Sequence, residues 1–430
     1  MTRSLTLLCF LLAPQLVAAQ APIDSLRLPA LRESALSTDP RSAQLQILAA
    51  QSALRLRNLN AELKPALSFD SQAQYQSDVA TIPITLPGVT IPTPPHDTYD
   101  ARMSAQQRLF DPSLGSRRAV ERAQTAESQA RVRTALYSIN ESVNAAFFTA
   151  LRSQAQAAEL ATTVTDLEAQ LAVADVRVKA STALPSESNT LRAEILRRRQ
   201  AVAEQDAVRR AALAVLADLI GKPIDPATPL ATPDVSAVIP AARLDSNFRK
   251  RPEYQQFELS REALRRSEEA RSALDKPRLS AFGRLGYGKP GLNQLSDKFD
   301  SYWITGLQLQ WTPWNWGNTG RDRQVIALQR DLVSTEEKNF TNSLRRVVEQ
   351  DLVAIARLEA ALAQDEEIIA LRENILSETR IRYSESVITS AEYVDRQTDV
   401  LAARLARSTH RVELSQARAH LLTTLGIEVR

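Results

Sequence analysis

The sequence predicts a mostly α-helical fold with a small β part, built from one helix–strand–strand–helix–helix unit that occurs twice. Three observations lead to this prediction. Only 11 of the 430 residues are Gly, and long stretches are rich in Ala, Leu, Arg, Glu and Gln, which favour helices. Four shorter stretches alternate apolar and polar residues with the period of a β-strand. Landmarks of the first half also recur in the second half at constant distances.

The duplication predicts where the units begin and end. Matched positions lie 212 residues apart before and within the first strand of each unit, and 205 residues apart after the strands. A longer loop in the first unit, rich in Pro, absorbs the shift of seven residues, because loops vary in length while helices and strands persist. The matched pairs are Pro40 and Pro252, Lys64 and Lys276, Arg177 and Arg382, Glu187 and Glu392, and Gly221 and Gly426.

The predicted domain organisation has four parts. A signal peptide is followed by a first repeat, a Pro-rich linker and a second repeat. Each repeat contains two strands that alternate over ten to twelve residues. The predicted bounds are 1–19 for the signal peptide, 20–221 and 244–430 for the repeats, 222–243 for the linker, and about 65–76, 98–110, 277–288 and 301–312 for the strands.

The first residues have the three parts of a secretory signal peptide. A basic start with Arg3 precedes an apolar run from Leu5 to Val17, and small residues follow. The apolar run is shorter than the roughly 20 residues that a membrane-spanning helix needs. We therefore expect export, with cleavage after Ala19 or Ala21.

Composition argues against catalysis and nucleic-acid binding. The single cysteine, Cys9, lies in the predicted signal peptide, so we expect no disulfide, thiol nucleophile or sulfur ligand in the mature chain. The three histidines, His96, His410 and His420, are too far apart in sequence to suggest a shared metal site. A net charge of +3 is too small to indicate nucleic-acid binding. No Gly-rich phosphate loop is present, and we expect no enzyme activity and no cofactor.

The predicted helices are too long for a compact domain. Residues 113–180 contain no Pro and a single Gly, and residues 319–384 are similar. At 1.5 Å per residue each helix would be ~100 Å long. Heptad-like spacing of Leu352, Ile355 and Leu358 predicts coiled-coil packing between such helices. The molecule is therefore expected to be elongated.

The four strands have the length of tilted β-strands that cross a bilayer. Four strands cannot close a barrel, and open sheet edges are not tolerated in lipid. Three copies would supply 12 strands, an even number that can close. The apolar face would then contact lipid. The polar face would line a water-filled lumen with Asp70, Gln72, Arg102, Gln106, Arg284 and Gln308.

Aromatic residues flank the apolar band at both ends of the strands, as in the aromatic girdles of membrane barrels. One group lies beside the two hairpin loops, and the other lies at the opposite strand ends. The first group comprises Tyr75, Tyr99, Tyr287, Tyr302 and Trp303, and the second comprises Phe110, Trp311, Trp314 and Trp316.

The chain resembles the TolC family of outer-membrane efflux and secretion channels over essentially all of its mature length. The resemblance rests on the duplication, the Lys-Pro strand openings, the Leu109-Phe110-Asp111 strand exit and the segment Arg382–Gln397. It implies a homotrimer with a 12-stranded transmembrane β-barrel in the outer membrane, continued by a long α-helical barrel across the periplasm. It also implies helical tips that meet a periplasmic adaptor and an inner-membrane pump. In that case the chain is a passive exit duct of a tripartite efflux or type I secretion system.

The resemblance also implies roles for residues near the tips. Glu392 and Asp395 fall on the acidic positions that ring the periplasmic entrance of the family. Their i, i+3 spacing places both carboxylates on one helix face. Three copies would concentrate six negative charges at the mouth and favour cations. The predicted gate network consists of Glu187, Tyr383, Arg382 and Arg177.

This sequence departs from the family pattern at the tips. Ser181 and Ser386 occupy the position of the tip glycine in the two repeats. Ile388 stands where one basic member of the family's gate is expected, so a salt bridge that closes the pore in relatives is missing or supplied elsewhere.

A second interpretation is an exported coiled-coil scaffold or adaptor whose strands form a soluble β-domain. The two interpretations differ in whether Leu67, Phe69, Leu285 and Leu307 face lipid or a protein core. The resemblance leaves the cargo open among drugs, metal ions and proteins.

Overall fold

The computed structural model describes residues 25–80, 93–233 and 248–427. The predicted signal peptide and residues 234–243 of the predicted linker lie outside these ranges. The described residues form eight α-helices, one short 3₁₀ helix and a four-stranded antiparallel sheet. The predicted fold class, mostly α with a small β part, is confirmed.

The two halves repeat the same order of elements. The first half contains α1 (Leu28–Thr38), α2 (Arg41–Ala61), β1 (Ala66–Tyr75), β2 (Asp97–Phe110), α3 (Ser113–Tyr137), α4 (Ile139–Lys179) and α5 (Pro185–Ile220). The second half contains the 3₁₀ helix Phe248–Lys250, α6 (Pro252–Ala273), β3 (Arg278–Lys289), β4 (Asp300–Gln310), α7 (Asn318–Ser384) and α8 (Ser390–Thr424). All four strands lie within two residues of the bounds that alternation predicts.

The long helices extend the molecule far beyond the sheet. Helix α7 has 67 residues, which corresponds to ~100 Å. The matching stretch of the first half is divided at Ser138, so the prediction of one unbroken helix there is wrong. The Ser138 hydroxyl donates to the carbonyl of Ala135 (2.8 Å), and the Glu141 amide donates to the Ser138 carbonyl (3.1 Å). These local hydrogen bonds tighten one turn and interrupt the regular series of α-helical backbone hydrogen bonds.

The sheet has the order β1-β2-β3-β4, and among residues 25–80, 93–233 and 248–427 no further strand pairs with the outer edges of β1 and β4. One face carries an apolar row that crosses all four strands, formed by Phe69, Met103, Leu285 and Trp303. These four side chains are 56–71% exposed. The described part of the chain therefore presents this face without covering it.

The opposite face carries a polar row at the adjacent positions. Asp70 pairs with Arg102, Arg102 with Gly286, and Gly286 with Tyr302. Arg102 also forms ion pairs with Asp100 (3.4 Å) and Asp70 (3.9 Å). Adjacent residues of a strand point to opposite faces, so the predicted separation of apolar and polar faces is present in the sheet.

The two halves are joined around a buried guanidinium near the start of α4 and the end of α8. Arg32 of α1 is 8% exposed and donates to Oδ1 of Asn144 and to Oγ1 of Thr423, at 2.6 and 2.8 Å. Burial lowers the pKa of Arg32 to about 10. Tyr137, which ends α3, donates to the carbonyl of Thr423 (2.6 Å). These bonds connect the first half to the last helix of the second.

Helices α7 and α8 are further linked by two histidine–aspartate pairs. Nδ1 of His420 lies 2.8 Å from Asp351, and Nδ1 of His410 lies 2.7 Å from Asp365. Across residues 25–80, 93–233 and 248–427, no helix combines the length and the apolar character that crossing a membrane requires.

Candidate functional site

The helices end in two tips, which we define as residues 180–184 (first tip) and 385–389 (second tip). Each begins with a Schellman motif, in which the backbone turns back on the last helical carbonyls. The Thr182 amide donates to the Arg177 carbonyl, and the Val387 amide donates to the Arg382 carbonyl, both at 2.9 Å. The left-handed residue of these turns is Ser181 (φ 58°) and Ser386 (φ 62°), respectively.

The opposite ends of the same helical hairpins use glycine in the same motif. Gly221 follows α5 with φ 65°, and Gly426 follows α8 with φ 73°. The four turns therefore have one backbone geometry, but the tips carry serine where an L-residue is strained. A serine adds a hydroxyl that glycine lacks, and at the second tip this hydroxyl is used.

Arg177 of α4 reaches from the first half to the second tip. Its guanidinium donates to the Tyr383 carbonyl (3.1 Å) and to the Ser386 hydroxyl, and it lies 5.5 Å from the centre of the Tyr383 ring. Bonds to a charged donor are stronger than those between neutral groups. The structure thus brings Arg177 and Tyr383 together, with Ser386 as a further partner.

Below this contact, Tyr383 stacks on Tyr393 with ring centres 5.3 Å apart. Both side chains are at most 1% exposed. Burial and the nearby carboxylate of Glu187 raise the pKa of the Tyr383 hydroxyl. That hydroxyl and Oε2 of Glu187 are buried, and within the described residues neither completes a hydrogen bond. Glu187 therefore belongs to the same cluster as Tyr383.

Two other predicted network positions behave differently. The side chain of Arg382 is exposed, and its carbonyl serves the turn of the second tip. Ile388 packs against the apolar tip core formed by residues including Leu167, Leu191 and Tyr393. An isoleucine at this place adds apolar contact to the cluster.

The predicted acidic pair lies on the first turn and a half of α8. Thr389 caps this helix, and its hydroxyl accepts from the Glu392 amide (3.4 Å). A carboxylate in the first turn is favoured by the helix dipole. Both Glu392 and Asp395 are exposed. Their side chains are available to solvent at the end of the molecule farthest from the sheet.

Sequence reasoning missed two parts of the tip. Tyr393 is fully buried and forms the stacked partner of Tyr383. Asp399 accepts from Arg372 (2.7 Å) and from Arg396 (3.1 Å), which joins α7 to α8 just behind the tip. The i, i+3 spacing of Arg396 and Asp399 is a signal that could have indicated the second of these pairs.

The predicted girdle residues lie on the exposed sheet face or just beyond the end of β4. Tyr75, Trp303, Trp314 and Trp316 are each more than 70% exposed. The remaining predicted girdle residues are 43–58% exposed, namely Tyr99, Tyr287, Phe110 and Trp311. The prediction is wrong for Tyr302, because this residue lies on the polar face opposite Gly286.

The fold is shared with known channels. Solved outer-membrane channel structures match the chain over more than nine-tenths of its length, so the chain has the fold of the TolC-family outer-membrane channels. The resemblance that the sequence predicts is confirmed for the fold. No protein-family model and no curated relative matches the sequence.

Three of these structures illustrate the similarity. CusC, studied for its folding and transmembrane channel formation, has a TM-score of 0.69 and 15% identity, covering 93% of this chain and 92% of CusC. The outer membrane protein VceC of Vibrio cholerae has a TM-score of 0.66 and 14% identity, covering 94% and 97%. The open state of the Neisseria gonorrhoeae MtrE outer membrane channel has a TM-score of 0.65 and 17% identity, covering 94% and 90%.

Proposed function

We propose that this chain is one protomer of a trimeric outer-membrane exit duct that serves a tripartite efflux or type I secretion system. In this role it conducts substrates passively from a periplasmic mouth at the tips to the outside of the cell. A periplasmic adaptor and an inner-membrane pump are the expected partners, and the pump supplies the energy. The absence of nucleotide-binding motifs in the sequence agrees with a passive duct.

The observation that carries the proposal is the two-faced sheet. Leu67, Phe69, Leu285 and Leu307 are 62–73% exposed, and no described helix packs on them. A soluble domain would bury a row of this kind, whereas lipid stabilises it. This exposure favours the duct over the scaffold, whose β-domain requires these residues in a core.

Oligomerisation follows from the edges of the sheet. Within the described part of the single chain, strands β1 and β4 each have an unpaired edge, and unpaired backbone groups are costly in lipid. Helix α7 also presents exposed apolar residues at i, i+3 and i+7, namely Val325, Leu328 and Leu332. Such a stripe is typical of a helix that packs against another helix. Pairing β1 of one copy with β4 of the next would close 12 strands around three chains.

The tips support a role as the mouth of the duct. Three copies of Glu392 and Asp395 would form an acidic ring, and a ring of carboxylates attracts cations and repels anions. We assign the cluster of Glu187, Arg177 and Tyr383 to the closing network, because it ties the two tips of one chain together.

The internal repeat suggests how neighbouring chains are tied. Arg177 binds the second tip of its own chain through Ser386. The residue 205 positions later is Arg382, which is exposed, and the counterpart of Ser386 is Ser181. In a closed ring of three chains, Arg382 would lie where it can reach Ser181 of the next protomer. The network would then use the same contact within and between chains.

Planar-bilayer conductance of the purified protein, together with its mass in detergent, tests the proposal. We expect a trimer that produces stable, cation-selective conductance steps. A trimer that inserts without conducting would mean that the tips hold the pore closed, and substitutions in the closing network should then open it. A soluble monomer that does not insert would contradict the duct and favour the scaffold.

A further inference from the structure

The polar face of the sheet contains aromatic side chains that lie flat against glycines. This face carries one aromatic residue on β3, Phe282, and one on β4, Tyr302. Each is paired directly across the β3–β4 hairpin with a glycine. Phe282 faces Gly306, and Tyr302 faces Gly286.

The rings occupy the space that side chains at these glycines would fill. A Cβ atom added to Gly286 would overlap the phenol ring of Tyr302, and one added to Gly306 would lie 2.8 Å from Cζ of Phe282. Glycine inside a strand weakens the sheet unless another group packs closely there. At both positions a closely packed aromatic ring accounts for the glycine within the strand.

Further contacts hold each ring against the sheet. The Tyr302 hydroxyl donates to Oδ1 of Asp100 (2.5 Å), which is itself paired with Arg102. The guanidinium of Arg284 lies 5.6 Å from the centre of the Phe282 ring. Gly286 is buried beneath Tyr302, although it lies on the surface of a sheet with no helix above it.

We infer that Gly286 and Gly306 are recesses that keep two aromatic rings out of the lumen and so set its free width. This inference rests on the proposed duct, in which the polar face lines the lumen. In three copies, six rings would lie along the wall of the barrel. Without the recesses, each ring would be displaced toward the axis, where it would narrow the path and exclude bulky substrates.

The chain offers a matched control on the same strand. Gly283 lies on the lipid-facing side of β3, and a Cβ there would meet nothing within 4 Å. Replacing Gly283 with Ala changes the backbone propensity of β3 as Gly286→Ala does, but it displaces no ring. A difference in unfolding temperature between the two variants therefore measures the effect of displacing the Tyr302 ring.

The test combines a double-substitution cycle with conductance. In detergent, we expect Gly286→Ala to lower the unfolding temperature, and we expect a much smaller decrease when Tyr302→Ala is also present. Gly283→Ala should have little effect. An equal decrease with and without the Tyr302 ring would overturn the recess, whether or not the protein conducts.

Conductance then tests the consequence for the lumen. We expect Gly286→Ala to reduce the unit conductance, and Tyr302→Ala alone to leave it close to that of the natural chain, because its ring already lies along the wall. The double variant should recover the conductance that Gly286→Ala loses. A marked increase in Tyr302→Ala would show that the ring projects into the path, and it would contradict the inference.

A natural chain that stays a soluble monomer and does not insert would refute the proposed duct, while the cycle of unfolding temperatures still decides the packing. If the natural trimer inserts without conducting, the conductance series is measured in a background whose closing network is opened by substitution of Arg177. Coupled unfolding temperatures with unchanged conductance in Gly286→Ala would refute a role in lumen width. The two failures are thus distinguishable.

Discussion

At the scale of single residues, the tips show how one hydroxyl changes a common turn. Ser181 and Ser386 have the left-handed backbone that Gly221 and Gly426 adopt at the other ends of the same hairpins. Ser386 uses its hydroxyl to accept from Arg177, whereas Ser181 is an exposed turn residue within the single chain. The same substitution should therefore have different effects in the two turns.

In the monomer, where Ser181 lacks the proposed contact with Arg382 of a neighbouring protomer, replacing Ser181 with Gly should stabilise the fold by about 1 kcal/mol, because glycine adopts a left-handed backbone without the steric cost of a Cβ. Thermal unfolding in detergent measures the change. Ser386→Gly is the matched control, since it gains the same backbone relief but loses the acceptor of Arg177. A larger stabilisation from Ser386→Gly than from Ser181→Gly would contradict the structural role of that contact.

The acidic pair provides a second prediction at this scale. Replacing Glu392 and Asp395 with Ala should move the cation-to-anion permeability ratio toward one and weaken block by multivalent cations, because it removes the carboxylates of the proposed ring. Bi-ionic reversal potentials in planar bilayers measure the ratio. Replacing Glu367 and Glu378, two exposed carboxylates of α7, removes the same charge and should leave selectivity unchanged. Unchanged selectivity in the Glu392/Asp395 variant would remove these residues from the mouth.

At the scale of elements, the α7–α8 hairpin contains a pH-dependent contact. Asp351 accepts from His420 and thereby raises the pKa of the imidazole above its ordinary value of 6.5, and Glu141 acts in the same direction, while burial and Arg251 oppose it. A raised folded-state pKa means that the protonated form is favoured in the folded protein. The contribution to stability is full below about pH 6.5 and is lost as the pH rises through the raised value.

We therefore expect the unfolding temperature of the natural chain to fall between about pH 6 and pH 9 by more than that of Asp351→Asn, since the asparagine lacks the charge that holds the proton. Scanning calorimetry over this range measures both proteins. Asp365→Asn, which removes the partner of His410, serves as a comparison for a second histidine–aspartate pair. Parallel pH profiles for the natural chain and Asp351→Asn would exclude the contribution of His420.

The elements also show which features the sequence could predict. Strict alternation over ten or more residues located the four strands and their two faces, because the burial of alternate side chains is a local property. The break at Ser138 was not predictable in this way. A serine within a helix keeps the regular ladder or bonds back to a nearby carbonyl, and the packing around Tyr137 and Thr423 decides between them.

The candidate site was predictable only in part, for a similar reason. Matching the repeats found Arg177, Glu187 and Tyr383, but the stacking of Tyr393 depends on how α7 and α8 meet beyond the second tip. The sheet face on which Tyr302 lies could be predicted from the sequence, since Tyr302 and Trp303 are neighbours in one strand and must point to opposite faces. Its fit onto Gly286 required the register between β3 and β4.

At the scale of the whole molecule, the single chain exposes surfaces that further copies of the chain could cover. As far as the structure describes the chain, its sheet has two free edges, and α7 carries an exposed apolar stripe that ends at Leu332. These surfaces lie on the same long unit, so one arrangement of copies can cover both. The proposed trimer is the smallest ring that closes an even number of strands sufficient for a lumen.

Replacing Leu328 and Leu332 with Glu should shift the proposed trimer toward monomers, because each carboxylate would lose its hydration at the interface between helices. Both leucines are 64% exposed in the single chain. Mass measurement in detergent reports the assembly. Leu328→Met with Leu332→Met keeps both positions apolar and of similar volume and should leave the mass unchanged. A trimer that tolerates both pairs equally would show that the leucine stripe lies outside the interface.

The equal length of the two long helical stretches constrains how such a molecule can evolve. Helix α7 spans 67 residues, and the stretch from Ser113 to Lys179 spans the same number despite its interruption at Ser138. The length of each stretch sets the distance between the sheet and the tips. Adding seven residues to one stretch alone would lengthen that stretch by about 10 Å and tilt the tips. If the proposed duct crosses the periplasm, a change in that distance would therefore require insertions of whole helical turns, made together in the ascending and descending helices of both repeats.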